Sequence, residues 1–193
     1  EQAGRVRQCS AVGEGQLDWP VHVRRPDEIG QLARSFETMQ QRLQTDALTG
    51  LANREAFILR LRDKIVHASR EPGREHFAVL FVDLNRFKQI NDQFGHSVGD
   101  RVLIEIAQRL RDTVRSRDLV ARLSGDEYVI LLDQVDGVVS LERIRMQIQA
   151  ALTEPLEALG LGQVVDADFG GSVGEALFPD DGLDAEALLK KAD

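Results

Sequence analysis

Asp126 and Glu127 stand side by side in RLSGDEYVILL, just after the Ser124-Gly125 turn and between two apolar runs. Adjacent carboxylates repel, and a tight turn leaves them little room to separate, so a site that uses them requires a cation to offset the charge. Mg²⁺ suits such a pair, because it prefers hard oxygen ligands and is commonly held by one or two carboxylates. Its remaining positions stay with water and substrate phosphates. Asp83 offers a third acid where the apolar run FAVLFV ends. If that run lies beside the hairpin, its carboxylate reaches the same sheet edge as Asp126 and Glu127. Taken alone, an SGDE tetrapeptide is ordinarily a solvated turn, and the spacing by itself leaves both readings open.

The elements that must position these acids are legible from periodicity. Phe77 to Val82 is a continuous apolar run of strand length, as expected of a central strand buried on both faces. DLVARL and YVILLD flank the turn as the two strands of a hairpin. Asn53 to Arg70 carries Phe57, Ile58, Leu61, Ile65 and Ala68 at helical spacing ahead of a Pro72-Gly73 break. Val102, Leu103, Ile106, Ala107, Leu110 and Val114 form one broad stripe, which predicts a helix over Val98 to Val114 packed on the sheet. A helical pattern through Leu141, Ile144, Ile148 and Leu152, a strand from Ser172 to Phe178 and a helix opening at Asp184 complete the order. That alternation predicts an α/β sandwich, a mixed central sheet covered by helices.

Residues 1 to 45 have a different texture, polar with short apolar repeats, and the domain boundary is set there. In DEIGQLARSFETMQQRL, Ile29, Leu32, Phe36, Met39 and Leu43 recur at alternating steps of 3 and 4, the a/d seam of a coiled coil. Pro26 and Asp27 suit its start, and a short helix around Val6 to Val12 precedes it. The same periodicity fits either pairing with a second chain or docking on the main domain. The net charge of -8 excludes a nucleic-acid backbone as partner, since that affinity needs clustered Lys and Arg. Cys9 is the only cysteine, which excludes an internal disulfide and a Cys-rich zinc site. No signal peptide and no apolar run of about 18 residues occurs. The chain opens without methionine and ends at Asp193 within a helical pattern, so it is expected to be part of a longer protein.

From Asp46 to Asp193 the sequence resembles the GGDEF family of diguanylate cyclases. DALTGLANR (Asp46 to Arg54) resembles the family's opening motif, DLNRFKQINDQFGHSVGD (Asp83 to Asp100) its nucleotide-binding motif, RLSGDEY its signature hairpin and LKKAD the start of its last helix. Residues 1 to 45 resemble the second half of a HAMP signalling module, which favours the coiled-coil reading. The resemblance implies a palm-like, nucleotide-cyclase-like fold and the condensation of two GTP into cyclic di-GMP. It implies two Mg²⁺ or Mn²⁺ ions per active site, held by Asp83, Asp126, Glu127 and the carbonyl of Leu84, with Glu127 also activating the 3′-hydroxyl. Asn91 and Asp100 match the guanine-recognising positions. The amides around Arg86 and Phe87, with Lys88, match the phosphate contacts, and Gly125 belongs to the same substrate-binding set. Arg115 and Asp118, in RSRD, lie five residues (LVARL) before the signature and match an inhibitory RxxD product site. A homodimer through the HAMP coiled coil follows, as does a cytoplasmic position in an inner-membrane protein whose membrane segment lies upstream.

Four positions depart from the family pattern. Ser124 replaces the first glycine and is expected to crowd the nucleotide, while Tyr128 replaces phenylalanine as a mild change. Asn85 replaces a common aspartate and Glu175 an apolar residue, both expected to lie off the metal set. A phosphate-contacting lysine of the family's last helix lies past Asp193. The alternative is a catalytically silent domain that binds GTP or cyclic di-GMP and regulates a neighbouring domain.

Overall fold

The apolar run opening at Phe77 folds as strand β1 (Phe77–Asn85) in a computed structural model that describes residues 43–70, 76–135, 138–156 and 169–193, with Gln31, Ser35 and Met39. Along the chain follow α1 (Arg54–Arg70), β1, α2 (Phe87–Phe94), α3 (His96–Thr113), β2 (Leu119–Ser124), β3 (Glu127–Leu132), α4 (Val138–Thr153), β4 (Gly170–Phe178) and α5 (Ala185–Ala192). The chain divides into two compact units, Glu1–Thr45 and Asp46–Asp193. In the first, Met39 and Leu43 are helical and about half exposed, at 49% and 48%. The seam positions Ile29, Leu32 and Phe36, the Pro26-Asp27 start, the Val6 to Val12 helix, Cys9 and the Pro72-Gly73 break lie outside the described residues.

In the second unit the sheet order is β2-β3-β1-β4, and every strand pairing is antiparallel. The parallel character expected of a mixed sheet survives among the described residues only as the bridge between Ala52 and Ala121. The register supplies the reason. β1 and β2 run the same way, joined through helices, but β3 folds back between them; β3 and β4 likewise run together with β1 between them. The sequence shows the crossovers without showing which strand is inserted.

Alternation along β1 sorts the core into two layers. Ala78, Leu80, Val82 and Leu84 pack with Val102, Ile106 and Leu110 of α3 and Ile148 of α4. Phe77, Val79 and the partly buried Phe81 pack with Phe57 and Leu61 of α1 and Leu188 of α5. Helix α1 starts where Asn53 accepts the amide of Ala56 at 3.0 Å, and α5 starts where Asp184 accepts that of Ala187 at 2.8 Å. Helix α2 was not expected from the sequence: Phe87, Ile90 and Phe94 carry its apolar spacing, but eight residues make a weak periodic signal.

Tyr128 carries more than a family phenylalanine would. It is fully buried, and its hydroxyl donates to the carbonyl oxygen of Leu103 at 2.9 Å, tying the signature hairpin to α3. Burial also pushes the phenol above its ordinary range. Tyr128→Phe should lower unfolding stability by about 1 kcal/mol in urea titrations; an unchanged midpoint would show that the bond contributes nothing net.

Candidate active site at the hairpin end of the sheet

Glu127 is the first residue of β3, and antiparallel register sets it directly opposite Asp83 of β1. Asp83 in turn faces Ser172 of β4, and Glu127 faces Ser124 of β2. Ser124, Glu127, Asp83 and Ser172 thus form one row across the sheet. Directly opposed side chains share a face, with Cβ atoms about 4.5–5.5 Å apart, and alternation puts this row on the α1/α5 side. Asp83 lies inside β1, which continues to Asn85, instead of closing it. The bend is Gly125-Asp126, one residue later than expected, with Gly125 at φ 47, a left-handed conformation that glycine adopts without strain. The carbonyl of Asp126 accepts the amide of Leu84 at 3.3 Å, so the bend is pinned to β1.

Electrostatics mark this row as a place for a cation. Partial burial, then the negative charges of Asp126, Glu127 and Asp193, push the Asp83 carboxyl above the ordinary aspartate value. No three acids or histidines among the described residues are grouped closely enough to hold a metal ion. Two opposed carboxylates nonetheless fit Mg²⁺, which usually takes only one or two from protein. Ser124 Oγ donates to Glu127 Oε2 at 2.7 Å, and Ser172 Oγ donates to Asn85 Oδ1 at 3.1 Å. A cleft of about 410 Å³ opens beside Glu127, with Arg54, Arg62 and Lys190 among its walls.

The opening motif reaches the hairpin through Arg122, a residue the sequence did not single out. Its Nε donates to the Gly125 carbonyl at 2.9 Å, and its Nη1 donates to both Asp46 oxygens at 3.1 and 3.2 Å. Burial raises the Asp46 carboxyl, but hydrogen bonds from Thr49 and the Arg122 guanidinium outweigh it, leaving Asp46 below the usual carboxylate range.

The remaining expected residues fall in two other places. Arg86 sits at φ 61, a left-handed conformation that costs a non-glycine residue on the order of 1 kcal/mol, and it turns β1 into α2. Phe87 is buried and Lys88 exposed on the first turn of α2; the amides of Gln89 and Ile90 bond the Arg86 carbonyl, which leaves those of Phe87 and Lys88 to face an anion. Asn91 on α2 lies against Gly99 on α3 so closely that a Cβ there would meet Asn91 Oδ1 at 1.9 Å. The exposed Asp100 is the next residue on α3 after Gly99, and neither Asn91 nor Asp100 lines the cleft beside Glu127. Arg115 is exposed; its amide donates to Asp118 Oδ2 at 2.9 Å, and Asp118 Oδ1 accepts the amide of Asp133 at 3.1 Å. Glu175 stands off the row, 3.8 Å from Arg145, with one oxygen lacking a hydrogen-bond partner.

Comparison with known proteins identifies the family. Residues 43–193 match the family described as "Diguanylate cyclase, GGDEF domain", and residues 6–45 match the HAMP domain. The chain belongs to the GGDEF diguanylate cyclase family, with a HAMP segment ahead of its GGDEF domain. It is 39% identical over 184 residues to the diguanylate cyclase TpbB of Pseudomonas aeruginosa, covering 86% of this chain and 41% of that protein. It is 38% identical over 180 residues to MucR of the same species, a bifunctional diguanylate cyclase/cyclic di-GMP phosphodiesterase, covering 92% and 25% respectively. The solved GGDEF domain of TpbB matches with a TM-score of 0.66 at 40% identity, over 77% of this chain and 84% of that one. The chain spans less than half the length of these two curated relatives.

Asp83→Asn removes one of the crowded charges and should raise the Tm of metal-free protein by about 1–2 °C. Millimolar Mg²⁺ should raise the Tm of the unmutated chain and leave that of the variant unchanged. A lower Tm without metal, or an undiminished Mg²⁺ effect, would contradict charge crowding in the row.

Proposed function

We propose that this chain carries a diguanylate cyclase that condenses two GTP molecules into cyclic di-GMP, releasing pyrophosphate. The observation that carries the reading is the opposition of Asp83 and Glu127 on one sheet face, in a field that disfavours further negative charge and favours a cation. Asp83, Asp126, Glu127 and the Leu84 carbonyl are the proposed holders of two Mg²⁺ or Mn²⁺ ions. Such ions supply charge neutralisation at the attacking and leaving oxygens of phosphoryl transfer. Glu127 takes the proton of the 3′-hydroxyl as its oxygen bonds to the α-phosphorus of the other GTP and the bond to pyrophosphate breaks. Asn91 and Asp100 recognise the guanine edge, Gly125 leaves room for the nucleotide, and the first-turn amides of α2 with Lys88 orient the phosphates.

Each domain supplies half of this reaction, so two copies must face one another. The half-exposed Met39 and Leu43 on the HAMP-side helix support pairing with a second copy. The HAMP match also supports a cytoplasmic position in an inner-membrane signalling protein; among the described residues no helix is long and apolar enough to cross a membrane. A catalytically silent, nucleotide-binding domain is the second reading, favoured by the hold of Ser124 on Glu127.

Incubation with GTP and Mg²⁺, with cyclic di-GMP quantified by chromatography, separates these readings. Unmutated protein should form product and Glu127→Gln should form it at least about 100-fold more slowly; equal rates would remove Glu127 from the chemistry, and GTP binding without product would support the silent domain. Product inhibition through Arg115 and Asp118 is proposed from their RxxD spacing and the exposed guanidinium of Arg115. Arg115→Ala should raise the cyclic di-GMP concentration for half-inhibition at least about 10-fold, the worth of a charge-assisted contact. An unchanged value would dismiss that site.

A further inference from the structure

Within its row, Glu127 has Asp83 on one side and Ser124 on the other. Asp83 repels it; Ser124 offers a donor. The hydroxyl binds Oε2 at 2.7 Å, a charge-assisted length, and strand order places that hydroxyl on the β2 side of the carboxylate, away from Asp83. The bond therefore draws Glu127 from the acid with which it would share a cation. Among the described residues no three acids are grouped for a metal, so a cation shared by all of Asp83, Asp126 and Glu127 requires their carboxylates to draw together. Of these three, only Glu127 has its carboxylate held by a neighbouring hydroxyl. A glycine at position 124, as in the family signature, has nothing to hold it with.

We propose that Ser124 is a latch on Glu127: its hydroxyl holds the carboxylate on the β2 side when no divalent cation is present, so that metal loading competes with this hydrogen bond. The inference rests on the reading of Asp83, Asp126 and Glu127 as the metal site. It makes Ser124 a positioning residue that raises the cation concentration at which the site assembles. The steric crowding expected of this serine becomes secondary, since Ser124 is exposed and its hydroxyl is turned onto Glu127. Threonine at the same position retains the donor; alanine and glycine lack it.

The test is binding of Mn²⁺ alone to the whole chain, followed by the loss of free-ion EPR signal, for the unmutated protein and for Ser124→Ala, Ser124→Gly, Ser124→Thr and Glu127→Gln. Removing the hydroxyl should tighten Mn²⁺ binding about 3–10-fold, the part of a charged hydrogen bond that water does not replace. Ser124→Thr should stay near the unmutated value and Glu127→Gln should bind more weakly. Equal or weaker binding by both Ser124→Ala and Ser124→Gly, with Glu127→Gln still impaired, overturns the latch and leaves the metal site standing. If Glu127→Gln binds as the unmutated chain does, or that chain binds no Mn²⁺, the metal site fails and the latch with it.

Discussion

Two acidic residues set opposite each other on a hydrogen-bonded ladder have backbones that cannot part without breaking the strand pairing, and their carboxylates are left only side-chain rotation with which to separate. Asp83 and Glu127 are in that position, with Asp126 in the adjoining bend. Partial burial, and then the charges of Asp126 and Glu127, raise the Asp83 carboxyl, and this crowding makes that end of the sheet receptive to positive charge. The other features of the site either enforce the juxtaposition or soften it.

Enforcement comes from both directions. β1 is paired on each side, so Asp83 cannot retreat, and the amide of Leu84 holds the Asp126 carbonyl. Arg122 joins the bend to Asp46, the residue immediately after the HAMP-side unit, and Tyr128 joins the hairpin to the helix that carries Asp100. Softening comes from Ser124, whose hydroxyl receives part of the Glu127 charge. A site built this way trades stability for readiness to bind, and its two layers of apolar packing, one on each sheet face, supply the rigidity it needs.

Much of this was legible in the sequence because the relevant signals are local. The run from Phe77, the alternating hairpin and the stripe from Val102 to Leu110 each follow from spacing within a few turns, and each is present in the structure. The convergence of Asp83 with the hairpin acids followed from placing two strands side by side. What escaped was long-range or depended on individual atoms. Arg122 and Asp46 are 76 residues apart, and no periodicity links them. Strand insertion leaves the strand pairings of the described residues antiparallel where a mixed sheet was expected. Ser124 and Tyr128 were weighed by size, whereas the structure uses their hydroxyls. Asn85 accepts a hydrogen bond from Ser172, the cross-strand partner of Asp83 and 87 residues away, a link that no local pattern shows.

The proposed work of the opposed pair Asp83 and Glu127 is to collect the divalent cation. Anomalous diffraction at the manganese edge, from crystals grown with Mn²⁺ and a non-hydrolysable GTP analogue, addresses it without reliance on turnover. An anomalous peak is expected within coordination distance of both carboxylates, on the α1/α5 face of the sheet. A peak bound elsewhere, with Asp83 or Glu127 pointing away from it, would contradict it.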